Sequence, residues 1–102
     1  MSEVGMKFDS EKPDYSLIPP NALNDVVNVL TYGARKYSAD NWHHVDDARN
    51  RYFAAAQRHL WAVRRGEKMD PETGISHFAH AAASMLFLLE LDYLENKYNE
   101  TN

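Results

Sequence analysis

Residues 58–80 read RHLWAVRRGEKMDPETGISHFAH, and the fold turns on this stretch. Arg64 and Arg65 followed by Gly66 form a helix stop, basic in the last turn and glycine just past the end. Upstream, Tyr52, Ala55, Ala56, His59, Ala62 and Val63 recur at steps of three and four, one inward stripe of a helix that ends at about Arg65. Asp46 or Asp47 is placed to cap its start. Downstream, Glu67 to Gly74 is an acidic turn punctuated by Pro71 and Gly74. Glu72 or Thr73 is placed to cap a further helix, expected over Ile75 to Tyr98. Between Phe78 and Leu91 that helix is apolar nearly all round and must be covered on several sides, more than two partner helices in so short a chain supply. Self-association is therefore expected.

Working outward, Leu23, Val26, Val27, Leu30, Ala34 and Tyr37 make a first helical stripe over Asn21 to Tyr37, entered through Pro19 and Pro20. Gly33 lies inside it at a cost of about 1 kcal/mol relative to alanine, which points to close packing or close ligand approach. Ser38 to Val45 reads as a loop centred on Asn41 and Trp42, with His43 and His44 exposed beside them. Trp61 reads as a packing residue. Residues 1–20 contain Pro13, Pro19 and Pro20, show no sustained period, and read as an extended arm anchored by Phe8, Tyr15, Leu17 and Ile18. The expected architecture is all-α: an extended N-terminal arm (1–20), then three main helices in one domain (21–102), assembling as an oligomeric helical bundle.

Composition narrows the function classes. The chain has 102 residues, one domain's worth, of which 44% are hydrophobic. It has no cysteine, so neither disulfides nor a thiolate zinc site can form. Eleven basic and 15 acidic residues leave a net charge of −4, which argues against broad nucleic-acid binding but not against one phosphate-sized ligand held by a few local cations. Arg35, Lys36, Arg58, Arg64 and Arg65 are candidates. Neither a signal peptide nor a membrane span is expected, because the longest mostly apolar stretch still holds His80, Ser84 and Glu90. A cytosolic location follows as an expectation.

The chemistry-bearing residues cluster around the same turn. His77 and His80 are three apart and share a helical face, with Ala81 and Ser84 leaving room beside the rings. If the second and third helices fold back antiparallel, His59 comes down beside them, about 10 Å from Gly66, and the carboxylates of Glu67, Asp70 and Glu72 sit above. Such a set offers oxygen and imidazole donors for a divalent ion, and Arg58 could meet a phosphate with its planar fork. The same residues also fit a structural role, with histidines bonded to carbonyls or carboxylates and the acidic turn solvated. Trp42 could stack on a planar ring while Asn41 reads its edge, or Trp42 could plug a gap between helices.

These residues resemble a known family along nearly the whole chain. Lys7-Phe8-Asp9, Lys12-Pro13, Pro19-Pro20, Tyr32-Gly33-Ala34, Lys36-Tyr37 and Asn41-Trp42 are similar to its first half. Arg58-His59, Gly66-Glu67, Asp70-Pro71-Glu72-Thr73-Gly74 and His77-Phe78-Ala79-His80 are similar to its second half. The family is the phage-associated dATP/dGTP diphosphohydrolase-like domain. The resemblance implies hydrolysis of a purine deoxynucleoside triphosphate to monophosphate and pyrophosphate, with a divalent metal ion, Mg²⁺ or Mn²⁺, bridging phosphates. It makes Glu67, Asp70 and Glu72 the candidate catalytic groups and His77, His80, Asp70 and Glu72 the candidate metal ligands. Lys12, Lys36 and Arg58 would hold phosphate, Asn41 and Trp42 would face the base, and His59 would complete the ligand pocket.

One departure separates the chain from the MazG-like all-α pyrophosphohydrolases, whose magnesium is held by ExxE and ExxD pairs on facing helices. Here the third helix offers His77 and His80, and the second has no acidic residue between Arg49 and Arg65. Imidazole is a poor magnesium ligand. Two other readings therefore stand beside the hydrolase: a non-catalytic sponge that sequesters a nucleotide or nucleotide-derived immune signal, and a protein-interaction helix bundle.

Overall fold

The computed structural model describes residues 11–101, with side chains to residue 96. Three α-helices carry the fold: α1 (Pro20–Lys36), α2 (Ala48–Arg64) and α3 (His77–Thr101). Short 3-10 turns lie at Tyr15–Leu17 and Asn41–His44. No β-strand occurs among the described residues, only an isolated antiparallel bridge between Met69 and Ser76. The all-α reading holds, and the helix limits fall within three residues of those expected from periodicity.

Local chemistry sets each boundary. Pro20 occupies the first position of α1, where its missing N–H costs nothing. Asp47 stands before α2 but does not cap it. Its backbone is left-handed (φ 55°) and its carboxylate accepts from the Asn50 side chain at 3.0 Å, so the capping expected of Asp46 or Asp47 is not what starts this helix. At the far end the Glu67 amide donates to the Ala62 carbonyl and the Gly66 amide to the Val63 carbonyl, both at 2.9 Å. That pair of bonds is a Schellman motif, and it requires the left-handed residue Gly66 supplies (φ 100°).

The turn between α2 and α3 is tied down from both sides. The Asp70 amide donates to the Ile75 carbonyl and the His77 amide to the Lys68 carbonyl, both at 2.9 Å. The cap of α3 is Ser76, whose hydroxyl accepts from the Phe78 amide at 3.1 Å, not Glu72 or Thr73. Thr73 is instead held inside the turn, where its hydroxyl accepts from the Ile75 amide at 3.2 Å.

α3 is the central element. It packs along α2 and, less extensively, along α1, while α1 and α2 touch each other little. Arg49 at the start of α2 pairs with both Asp92 and Glu95 far along α3, as an antiparallel hairpin requires. The packed faces carry small groups: Ala56 and Ala62 of α2 are buried, as are Ala79, Ala81, Ala83 and Ser84 of α3, of which Ala81 and Ser84 share the helical face of His77 that meets α2. Small side chains let the two backbones approach closely and bring whatever polar groups share the seam into contact. The stripe expected for α2 is inward throughout, from Tyr52 to Val63.

Three expectations are corrected. Tyr15 and Leu17 are each 79% exposed, and Ile18 is exposed too, so these residues do not anchor an arm on the rest of this chain. Phe8 lies outside the described residues. On α1, Val26, Leu30 and Ala34 are half-buried as expected, but Leu23, Val27 and Tyr37 stay exposed because only α3 covers this helix. Trp61 is also exposed and donates to Gln57 on its own helix, so it does not pack the core.

Gly66 and Gly33 make opposite predictions. Gly66→Ala forces a side chain into left-handed backbone and should lower stability by about 1–2 kcal/mol. At Gly33 an added Cβ would meet nothing within 4 Å, so Gly33→Ala should raise stability by up to about 1 kcal/mol. Urea melts of the two variants should move in opposite directions; a shift of the same sign would contradict this account of the helix ends.

Candidate functional site

Because α1 and α2 both lie on α3 but barely on each other, a cleft opens between them. It is about 870 Å³, with Phe87 and His80 of α3 among the side chains that line it. Lys36 and Gly33 line it from α1, Arg51, Arg58 and His59 from α2, Asn41 and Trp42 from the 3-10 turn, and Asp70, Glu72 and Thr73 from the hairpin.

The hairpin brings three histidines together. The His59 and His80 rings stack at 4.6 Å with planes 15° apart. The Nδ1 atoms of His59 and His77 face each other at 2.8 Å. His77 is buried, and its Nε2–H donates to a Glu67 carboxylate oxygen at 2.7 Å. His80 Nε2 lies 2.7 Å from the Thr73 hydroxyl. Asp70 closes the cluster: one donor atom from each of His59, Asp70 and His77 falls within 4.8 Å of the others, a spacing that one metal ion could bridge.

Electrostatics keep these groups in ligand-ready forms. Burial pushes the His59 imidazole below the ordinary histidine value, and the neighbouring His80 and His77 push the same way. Burial also lowers His80, against an opposing pull from Asp70. Burial works against charge on Asp70 as well. The Thr73 and Glu72 amides, donating to its Oδ1 at 3.0 and 2.9 Å, outweigh it with help from the nearby imidazoles, and the carboxyl sits below its ordinary value. At neutral pH the site therefore presents neutral His59 and His80 beside an ionised Asp70.

The residues expected at the site divide into groups. His59, Asp70, His77 and His80 converge. Glu67 reaches the cluster only through His77. Glu72 turns to the other side of the cleft, where its Oε1 accepts from Lys36 Nζ at 3.0 Å and from the Tyr32 hydroxyl at 3.1 Å. That pairing holds Glu72 below the ordinary glutamate value and Lys36 above the ordinary lysine value. Arg58, Asn41 and Trp42 line the cleft, with one face of Trp42 stacked on Phe87 at 4.9 Å. Lys12 is exposed on the segment before α1 and is not among the lining residues.

Sequence reasoning did not assign Arg51, Thr73, Tyr32 or Tyr52 to the site. Arg51 lies seven residues before Arg58, two turns back on the same face, a spacing that could have found it. Tyr52 fixes the loop by donating to the Trp42 carbonyl at 2.6 Å, a contact no local pattern announces.

Comparison with known proteins places the chain in a family. The family model of the dATP/dGTP diphosphohydrolase N-terminal domain matches residues 2–101. The chain belongs to this family. A dATP/dGTP diphosphohydrolase of Salmonella phage PMBT28 is 37% identical over 88 residues, 86% of this chain. The match spans 30% of that relative's length, so the chain corresponds to under a third of the phage protein. No solved structure matches the chain. No helix among the described residues is long and apolar enough to cross a membrane.

A pH dependence follows from the lowered histidines. Unfolded imidazoles bind protons from about pH 6.5 downward, whereas His59 and His80 in the folded chain resist until a lower pH. Metal-free protein should hold full stability above about pH 6.5 and lose it as pH falls through the folded values. His80→Asn should flatten that decline in a series of melts between pH 7.5 and 5; an unchanged slope would contradict the assignment.

Proposed function

We propose that the cleft binds a purine deoxynucleoside triphosphate and hydrolyses it to the monophosphate and pyrophosphate. One observation carries the reading: a single cleft of nucleotide-binding size runs past an aromatic and amide corner (Trp42, Asn41), cations on both sides (Lys36 of α1, Arg51 and Arg58 of α2) and the histidine–aspartate cluster. The phage relative's name and the family support the same substrate class.

In this reading Arg51 and Arg58, seven residues apart on α2, hold the phosphate chain through planar forks. Asn41 meets the base edge, and Trp42, held against Phe87, stacks on the base. Lys36 is already engaged with Glu72, so a bound phosphate would compete with that carboxylate for the ammonium. Hydrolysis forms a bond from water oxygen to the α-phosphorus and breaks the bridging bond to the β-phosphate, whose oxygen leaves with the electron pair as pyrophosphate. In this reading His80, neutral at working pH, takes the water proton. A divalent ion held by His59, Asp70 and His77 would supply charge neutralisation for the phosphates.

Pure protein incubated with dGTP or dATP and a divalent ion should release pyrophosphate. Arg58→Ala, an exposed change that spares the fold, should raise KM about tenfold or more. His80→Asn should lower kcat by about a hundredfold or more. Gly33→Ala should weaken nucleotide binding while leaving the fold intact, since its Cβ would enter the cleft. A second reading is favoured by the single carboxylate in the cluster, Glu67 and Glu72 being engaged elsewhere. A sponge would return intact nucleotide from heat-denatured protein and release no pyrophosphate.

Self-association belongs to the same proposal. Among the described residues every buried apolar side chain is an alanine, while Phe78, Met85 and Leu89 stand exposed at steps of seven and four along α3 with Phe53 exposed on α2. A second copy packing on that face would bury what this chain leaves open. Light scattering behind size exclusion should report a dimer or larger, and Met85→Glu should shift it to monomer.

A further inference from the structure

We propose that His59, His77 and Asp70 form a site for a divalent transition-metal ion rather than for magnesium, and that Glu67 is not a ligand but the residue that aims His77. The inference deepens the nucleotide-hydrolase reading and rests on it for the ion's use, though not for its binding.

The argument starts from the buried imidazole of His77. Its Nε2 lies 2.7 Å from the Glu67 carboxylate, which can only accept, so Nε2 carries the proton. That fixes the ring and leaves Nδ1 to face inward. There it meets Nδ1 of His59 at 2.8 Å, a distance at which two lone pairs repel and one proton must lie between them. Two imidazole nitrogens so close, with an ionised carboxylate beside them, make a pocket that a cation can fill in place of the shared proton. Bonds of about 2.1 Å from one ion reach two donors at this separation.

A carboxylate–histidine pair behind a metal ligand is the usual way of fixing its tautomer and raising its basicity. The Asp70 carboxylate is likewise pinned by the Glu72 and Thr73 amides at 2.9 and 3.0 Å. Donor chemistry then selects the ion. Two nitrogens and one oxygen suit Mn²⁺, Fe²⁺, Co²⁺ or Zn²⁺, with affinity rising from Mn²⁺ to Co²⁺, whereas Mg²⁺ demands oxygen.

The test uses the whole chain and metal alone, with no nucleotide. Calorimetric titration with Mn²⁺, Co²⁺ and Mg²⁺, with Co²⁺ also followed by its visible absorption, should give one Co²⁺ per chain, weaker Mn²⁺, and no Mg²⁺ binding at comparable concentration. Asp70→Asn keeps the oxygen that accepts from the turn amides and so should keep the fold, yet abolish binding. Glu67→Gln should weaken Co²⁺ binding by about 10- to 100-fold without removing it. Exposed His43 and His44 offer an adventitious alternative, so the His43→Ala/His44→Ala double variant should bind as the parent does. Equal affinity for Mg²⁺, no Co²⁺ binding, binding lost with His43 and His44, or a Glu67→Gln titration identical to the parent would each overturn the proposal. Metal binding without pyrophosphate release would leave this site standing and remove the hydrolase reading; pyrophosphate release with Mg²⁺ alone and no transition-metal binding would do the reverse.

Discussion

The contact between α2 and α3 is the constraint on which everything else hangs. A seam made of alanine and serine methyls and methylenes gains little from burial per residue, because each contributes only a small apolar area. What it permits is proximity. With no bulky side chain holding the helices apart, three imidazoles from two helices stack and bond to one another. A seam filled by leucines would be better buried, and His59 and His77 would not meet. The helix pair therefore gives up packing for a polar cluster, a trade that makes sense when the cluster has a use.

The hairpin turn does the second half of the work. Gly66 stops α2 in left-handed backbone, and Gly74, also left-handed (φ 71°), lets the chain return to α3. Between them Asp70 is fixed by two amides and Thr73 is drawn against His80, so the turn is an ordered part of the cluster, not a solvated link. α1 contributes by leaning on α3 without closing on α2. The gap it leaves is the cleft, and the Lys36–Glu72 pair reaches across from its wall to the hairpin.

Much of this was legible in the chain itself. Period and punctuation placed three helices, and the spacing of His59 from Gly66 put it level with His80, as the ring stack bears out. The partners within the cluster were not legible. Glu67, Asp70 and Glu72 are near neighbours in an acidic run, and sequence treats them alike. The turn sends Glu67 to His77, Asp70 to the centre and Glu72 across to Lys36, because the bonds between the two arms of the hairpin rotate each carboxylate differently. Capping failed for a related reason. Asp47 has the right residue type, but its left-handed backbone points the carboxylate at Asn50, and Ser76 caps α3 from a position that pattern alone had placed inside the helix.

The most direct test of this account is a crystal structure with Mn²⁺ and a non-hydrolysable dGTP analogue, the ion located by anomalous scattering. The account predicts an ion peak among His59, Asp70 and His77, with the phosphates running from it toward Arg58. An ion on the exposed histidines of the 3-10 turn, or an analogue bound away from the space between α1 and α2, would contradict it.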